Sequence, residues 1–494
     1  MIVNLRFRFY ILMNDLSLRS FQYKSKINSY RAESGVLRVF EKRLSAYPRQ
    51  LTLPVKRIYA QNKTPIEPIF YLGGGPGVSN MRFNPPDALL SNHDVIMIGY
   101  RGVDGSSVLD CPEVAKAMSG VEGDVLSDES LAKMAEAMRI CRKRLETAGV
   151  DLNAYTIPAV VEDLEAARVA LGYERVNLLS ESYGTRVAQT YASLHPDRLH
   201  RSVMIGVNPP GRFVWEPAMV DAQIEHYSRL WADDPALRAR AENLAEAMRK
   251  VAHAMPPRWR SFPIDPGKVN AVAFVLLFQR KTAAQVFDAY VAASRGDPSG
   301  LALMSLAYDF TMPKSLVWGD LVAKGGSADF DPGRDYTATL RSPESIIGSP
   351  VSLLIWAPLS QAWEFETLPA DLRQAQPTEI ETLLVSGSLD FSTPAEYATH
   401  ELLPCLKNGR QVVLSELGHV GDVWSVQPEA TLRLLTSFYE TGDADDSLFE
   451  YAPMDFKVKY GFPFLAKILL LTGVLFAVQF YLWLRRKGLD RPSP

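Results

Sequence analysis

Short apolar runs that stop at glycine or a polar turn recur along the chain: "PIFYLGG" (68–74), "DVIMIGYRG" (94–102), "RVNLLSES" (175–182), "RSVMIGV" (201–207), "ETLLVSGSLD" (381–390) and "RQVVLSELGH" (410–419). None alternates strictly between apolar and polar residues. That predicts strands covered on both faces, as in a parallel sheet. Between several of them the period becomes helical. "AVVEDLEAARVALG" (159–172) puts Val160, Leu164, Ala167 and Leu171 on one stripe and stops at Gly172. Strands alternating with helices predict an α/β architecture. From 211 to 370 the rhythm stops, in a stretch rich in Trp, Met and Pro with helical pieces such as "PAMVDAQIEHYSRLW" and "NAVAFVLLFQ". This reads as an insertion between late strands. Sites in open α/β sheets lie at the strand C-terminal ends, so an insertion there forms a lid.

The pattern divides the chain into an N-terminal extension (1–33), a core (34–210), a helical cap (211–370), a return to the core (371–445), a linker (446–461), an apolar segment (462–484) and a basic tail (485–494). The apolar segment, "FPFLAKILLLTGVLFAVQFYLWL", is broken only by Lys467 and Gln479. As a helix it would reach about 34 Å at about 1.5 Å per residue, enough to span a bilayer core. Tyr481 and Trp483 stand where interfacial aromatics belong, and Arg485, Arg486 and Lys487 follow. The expectation is a single-pass C-terminal anchor, with a buried core helix as the alternative. The basic cluster favours an extracytoplasmic catalytic domain, although Lys457, Lys459 and Lys467 precede the segment and reduce the asymmetry. The start, "MIVNLRFRFYILMNDL", makes a poor export signal because Arg6 and Arg8 interrupt it.

Composition narrows the function by exclusion. The 494 residues are 47% hydrophobic and 22% charged, with a net charge of −3, so neither a nucleic-acid-binding stretch nor an acidic solvating tail is present. No ligand cluster for a metal stands out, and no organic cofactor is implied.

The chemistry centres on "LLSESYGTRV" (179–188). Ser182 falls at the turn between a predicted strand and a predicted helix. A sharp turn of this kind pushes the middle side chain outward and needs small residues two before and two after it. Gly184 fits the second position; Ser180 occupies the first, where glycine is usual. The competing reading makes Ser182 a helix cap. A nucleophilic serine needs a base and an acid. Among the seven histidines, His419 alone follows a strand directly, in "VVLSELGHVGD". The acid is expected from the strand before, in "ETLLVSGSLDFSTPAEYA", where Asp390 is available because Thr393 and Glu396 read as a capping box for the next helix. The order Ser182, Asp390, His419 is that of the Ser-Asp/Glu-His arrangement on α/β sheets. An oxyanion needs two donors. The N–H of Tyr183 supplies one, and "YLGGGPG" (71–77) supplies the other, with Gly74 favoured over Gly75.

These segments resemble the proline iminopeptidase and tripeptidyl aminopeptidase branch of the α/β-hydrolases, serine peptidases that release residues from peptide N-termini. "LGGGPG" is similar to the family's oxyanion loop, "YRGVDGSSVLDCPE" to its arginine-glycine loop, "YTIPAVVEDLEAARVALGYERVNLLSESYGTRVAQTYASLHPDRL" to its nucleophile region, and "LLVSGSLDFSTP" and "LSELGHV" to its acid and histidine segments; "SGVLRVFEKR" looks like its N-terminal strand. The resemblance implies an α/β-hydrolase fold, mostly parallel with a helical cap, and assigns Ser182, Asp390 and His419 as nucleophile, acid and base. Three departures stand out. Gly73 replaces a histidine, Gly99 an aspartate, and Ile205 an aspartate that many aminopeptidase relatives carry. Glu216 and Glu225, at the start of the insertion, are the substitutes for holding a substrate ammonium, against a bland reading as solvated helix charges. Cys111 and Cys141 lie where exported relatives carry a pair, while Cys405 stands alone. The expected activity is that of a serine hydrolase, an aminopeptidase-type peptidase acting through an acyl-enzyme on a peptide or small ester. An esterase or lipase on the same residues, and a silent binding protein, are the alternatives.

Overall fold

The computed structural model describes residues 15–43, 49–121 and 123–489, without the side chains of residues 474, 477, 478 and 481–489. Among the described residues, nine strands form one sheet: β1 (Leu16–Lys24), β2 (Ser29–Phe40), β3 (Gln50–Ile58), β4 (Ile66–Leu72), β5 (His93–Ile98), β6 (Val176–Glu181), β7 (Leu199–Ile205), β8 (Glu381–Gly387) and β9 (Gly409–Leu414). Their spatial order is β1-β2-β3-β5-β4-β6-β7-β8-β9. The first four pair antiparallel and the six from β5 to β9 pair parallel. All six runs expected as strands lie in the parallel part.

Their lack of alternation has the expected cause. In β4, Phe70 and Leu72 face one apolar layer, shared with Val160 and Leu164 of helix α2 (Ile157–Leu171). Ile69 and Tyr71 face the other, shared with Leu434 and Phe438 of a late helix, α8 (Pro428–Thr441). Helix α2 begins at a Thr156 cap that accepts from the Ala159 N–H, and it stops at Gly172 with φ 79°.

Strands β1 and β3 carried no expectation. In β3 the apolar residues Leu51, Leu53 and Val55 are buried and alternate with more accessible residues, the signature of a strand covered mainly on one face. Residues 15–33, read from sequence as an extension, supply β1 and the start of β2.

Between β7 and β8 the chain is mainly helical, with one two-stranded hairpin, Arg258–Trp259 against Phe262–Pro263. It includes α4 (Pro217–Ala232), α5 (Ser299–Thr311), α6 (Trp318–Asp329) and α7 (Pro350–Ala362). This cap lies over the C-terminal ends of β4, β6 and β8, where the loops carrying the candidate chemistry emerge.

The expected C-terminal membrane anchor is corrected. The segment is helical, α9 (Phe462–Leu489), but among the described residues no helix is long and apolar enough to cross a membrane. The physical reason begins in its first turns, which belong to the cap packing. Ala466 is buried, Pro463 lies against Gly300 of α5, Ser299 Oγ donates to Pro463 O (3.3 Å), and Lys467 pairs with Asp297 at 2.5 Å. The single-pass localisation and the membrane as a partner fall with that correction. The side chains of Tyr481, Trp483, Arg485, Arg486 and Lys487 lie outside the described residues, as do the poor export signal at residues 1–14 and the end of the basic tail.

Candidate active site

Strand β6 ends at Glu181 and helix α3 (Tyr183–Leu194) begins two residues later, leaving Ser182 alone at φ 49° and ψ −117°. Such a backbone costs on the order of 1–3 kcal/mol at a non-glycine residue and persists only where neighbours over-determine it. They do so here. Ser182 N–H donates to Ile205 O at 2.9 Å, and Thr185 donates to Ser182 O through both its N–H (2.9 Å) and its hydroxyl (2.7 Å). Ser182 holds the cap position of α3, yet its hydroxyl makes no cap hydrogen bond. That removes the helix-cap reading and leaves the hydroxyl at the head of the helix.

The small flanking residues have separate reasons. A Cβ on Gly184 would lie 2.0 Å from Leu72 O, so glycine is required. Ser180 is fully buried and donates its hydroxyl to Val203 O (2.9 Å), so a serine is satisfied where glycine is usual.

His419 follows β9 on a short loop. Its Nδ1 lies 2.8 Å from Asp390 Oδ2, and both side chains are buried. The His419 N–H donates to Phe278 O of the cap (2.7 Å), and Asp422 accepts from the N–H groups of Gly418 and Arg280 (2.9 Å each), fixing the loop on both sides. Burial raises the Asp422 carboxyl. Gly206 (φ 63°) clears space for the imidazole, since a Cβ there would sit 2.8 Å from His419 Cε1.

One expectation about Asp390 is corrected. Thr393 and Glu396 form no capping box. Thr393 Oγ1 donates to Asp390 Oδ2 (2.9 Å), and the next helix begins after Pro394 with no side-chain cap. Asp390 Oδ1 accepts from the N–H groups of Ser392 and Thr393 (2.9 and 2.8 Å). The carboxylate therefore has a local turn to organise as well as the imidazole. A charged acceptor for three donors outcompetes a threonine cap.

The glycine loop passes directly against Ser182, with a Cβ on Gly74 falling 3.0 Å from Ser182 Cβ. Gly75 adopts φ 77° and its carbonyl accepts from Val78 N–H (3.0 Å). Buried Asn80 anchors the loop. Its Oδ1 accepts from Gly73 N–H (2.7 Å) and its Nδ2 donates to Tyr71 O and Ile98 O. Gly99, one of the departures, has no room for a side chain, because a Cβ would meet Asp104 Cβ at 2.5 Å. Asp104 takes up the Tyr100 and Asn80 N–H groups.

Ser182, Tyr183, Gly74, Gly75 and His419 line one cavity of about 800 Å³, whose other walls are mostly aromatic and aliphatic. This is the size of a small-molecule site. Sequence reasoning missed Glu181, which also lines it. Its two oxygens accept from Tyr71 OH (2.7 Å) and Trp424 Nε1 (2.6 Å). Burial raises this carboxyl, while those two hydrogen bonds oppose the rise. Its position beside the serine was a signal, but its partners come from distant strands and helices. Glu216 and Glu225 are not on the cavity wall. Glu216 forms a two-pronged pair with Arg334 (2.7 and 2.8 Å), and Glu225 faces Arg249 at 3.7 Å.

The family model for the α/β hydrolase fold matches residues 67–241, which contain the glycine loop and the strand–Ser182–helix turn. This chain has the α/β-hydrolase fold. It is an enzyme of the serine hydrolase type. The hydrolase is 26% identical over 447 residues to the tripeptidyl aminopeptidases of Streptomyces coelicolor and Streptomyces lividans, covering 81% of this chain and 79% and 80% of theirs. Among solved structures, it is similar to a serine hydrolase from Cycloclasticus zankles (14% identity, TM-score 0.37, covering 87% of this chain and 100% of that one) and to a thermophilic esterase from Thermogutta terrifontis (15%, TM-score 0.34, 81% and 97%).

Proposed function

We propose that the hydrolase is an aminopeptidase-type serine peptidase. Ser182 Oγ attacks the scissile carbonyl as its proton passes to His419 Nε2. Asp390 holds Nδ1–H and stabilises the imidazolium. The N–H groups of Gly74 and Tyr183 receive the developing oxyanion, with Gly75 next along the loop. His419 then protonates the leaving amine, and the acyl-enzyme is hydrolysed by a water that His419 deprotonates. The observation that carries this reading is the buried 2.8 Å His419–Asp390 contact on the wall of the same cavity as an uncapped serine at positive φ.

Peptide as substrate is supported by the activity for which the two Streptomyces relatives are named and by the cavity, whose apolar walls suit side chains. Recognition of a free amine falls to Glu181, since Arg334 occupies Glu216 and Glu225 stands away from the cavity.

The test is a panel of aminoacyl and tripeptidyl arylamides, their N-acetylated forms and short acyl esters. We expect turnover of the free-amine arylamides, at least tenfold slower turnover when the amine is acetylated, and a loss of at least a thousandfold in Ser182→Ala. Turnover of esters alone would remove the peptidase assignment. Equal rates on free and acetylated substrates would remove the role of Glu181.

A further inference from the structure

The cap does more than roof the cavity. Helix α6 starts against the glycine loop, and two hydrogen bonds join them at one residue. Val317 N–H donates to Gly77 O (2.9 Å), and Gly77 N–H donates to Asp320 Oδ2 (2.9 Å). Asp320 is fully buried, and its other oxygen lies 2.6 Å from Nζ of Lys324, one turn on and equally buried. Lys324 Nζ donates to Arg101 O (2.9 Å) and sits 5.4 Å from the centroid of the Tyr100 ring. Tyr100 OH in turn donates to Gly73 O (3.2 Å). One cap helix therefore reaches the far end of the loop through Gly77 and the near end through Lys324 and Tyr100, with Gly74 between them. The fit is close, because a Cβ on Gly77 would come within 2.8 Å of Val317 O.

Stability does not call for such a pair. Burial pushes the Asp320 carboxyl up and the Lys324 ammonium down, each against the charge of the other. Apolar residues of similar volume commonly serve as well or better in such places. What the pair supplies that apolar residues cannot is a fixed acceptor for the Gly77 N–H.

We propose that Asp320 is a positioning residue for hydrolysis. Its carboxylate, held by Lys324, keeps the glycine loop in the shape that aims the Gly74 N–H at the oxyanion, so the hole is complete only while α6 is seated. Cap closure and catalytic competence are then one event. The proposal rests on the reading of this loop as the oxyanion hole.

The test compares two double variants of the full chain with wild type and Ser182→Ala, using a fluorophosphonate probe whose bond-forming step needs the hole but no particular substrate. Asp320→Asn/Lys324→Met removes the charges and keeps an acceptor oxygen. Asp320→Leu/Lys324→Met removes the acceptor as well. Both replace a buried ion pair with neutral groups, and thermal melts report whether each folds. We expect the Asn variant to label within about threefold of wild type. The Leu variant should show a maximal labelling rate at least tenfold lower, with the concentration for half-maximal labelling within about threefold. Equal labelling rates in the two variants, whatever their melting temperatures, would overturn the proposal. So would a Leu defect confined to the half-maximal concentration. Labelling of Ser182→Ala at the wild-type rate would instead bring down the hydrolytic reading beneath it, and the proposal with it.

Discussion

Single atoms decide the working geometry. The strained backbone of Ser182 is tolerated because Ile205, Thr185 and the missing side chain of Gly184 leave it one conformation. The imidazole depends on another missing side chain. In Gly206→Ala the methyl group meets His419 Cε1, and the residue must hold φ 63° with a Cβ, at about 1–2 kcal/mol. Displacing the proposed base by a fraction of its hydrogen-bond length would be costly to the rate. The expected outcome is a fall in kcat of at least tenfold alongside a loss of about 1–2 kcal/mol in urea unfolding. An unchanged kcat at reduced stability would mean that the ring does not depend on this clearance.

At the scale of elements, the cap is fastened to the core by helix ends whose charges matter. Asp265 begins the cap helix Pro266–Leu276, accepting from Lys268 N–H (3.0 Å) and from Val125 N–H of the core side (3.1 Å). Burial, with help from the charge of Asp124, pushes its carboxyl up from 3.8 to about 6. A carboxyl raised in the folded state binds its proton more tightly there than in the unfolded chain. Its contribution is therefore complete below about pH 4 and is lost as pH rises through about 6. After discounting for partial solvent screening, the step is about 1–2 kcal/mol. Denaturant melts between pH 4 and 7 should show this decline in wild type and its absence in Asp265→Asn, which keeps a capping oxygen. Parallel curves for the two proteins would refute the assignment.

Across the whole molecule, a covalent bond within the core stands behind the packing of the cap. Cys111 and Cys141 form a disulfide with Cα atoms 5.5 Å apart, joining the loop after β5 to the long helix Asp128–Thr147. A Cβ on Gly319, at the start of α6, would lie 3.2 Å from Cys111 Sγ, so the bridge also backs the cap helix. A closed loop of this length restrains the unfolded chain by about 3–4 kcal/mol. Replacing both cysteines with serine should lower the unfolding free energy by about that amount. Reductant should do the same to wild type and nothing to the variant. A reductant effect of equal size in both would show that the bridge is not its source.

Much of this was legible because it is local. A buried parallel strand, a helix stripe ending at Gly172 and a serine between a strand and a helix each leave a signature within about fifteen residues, set by side-chain period and turn sterics. The six parallel strands and the candidate residues Ser182, Asp390 and His419 were read in that way. What only the tertiary structure decided is what lies opposite what. Gly206 opens space for a ring more than two hundred residues away, Asp320 reaches Gly77 across the cap, Arg334 takes Glu216, and Lys467 of an apolar run finds Asp297. Hydropathy counts the residues of that run but not their neighbours, and Thr393 turned to Asp390 rather than to its own helix for the same reason. Period and turn chemistry are written along the chain; partnership is settled by the order in which the sheet brings its strands together.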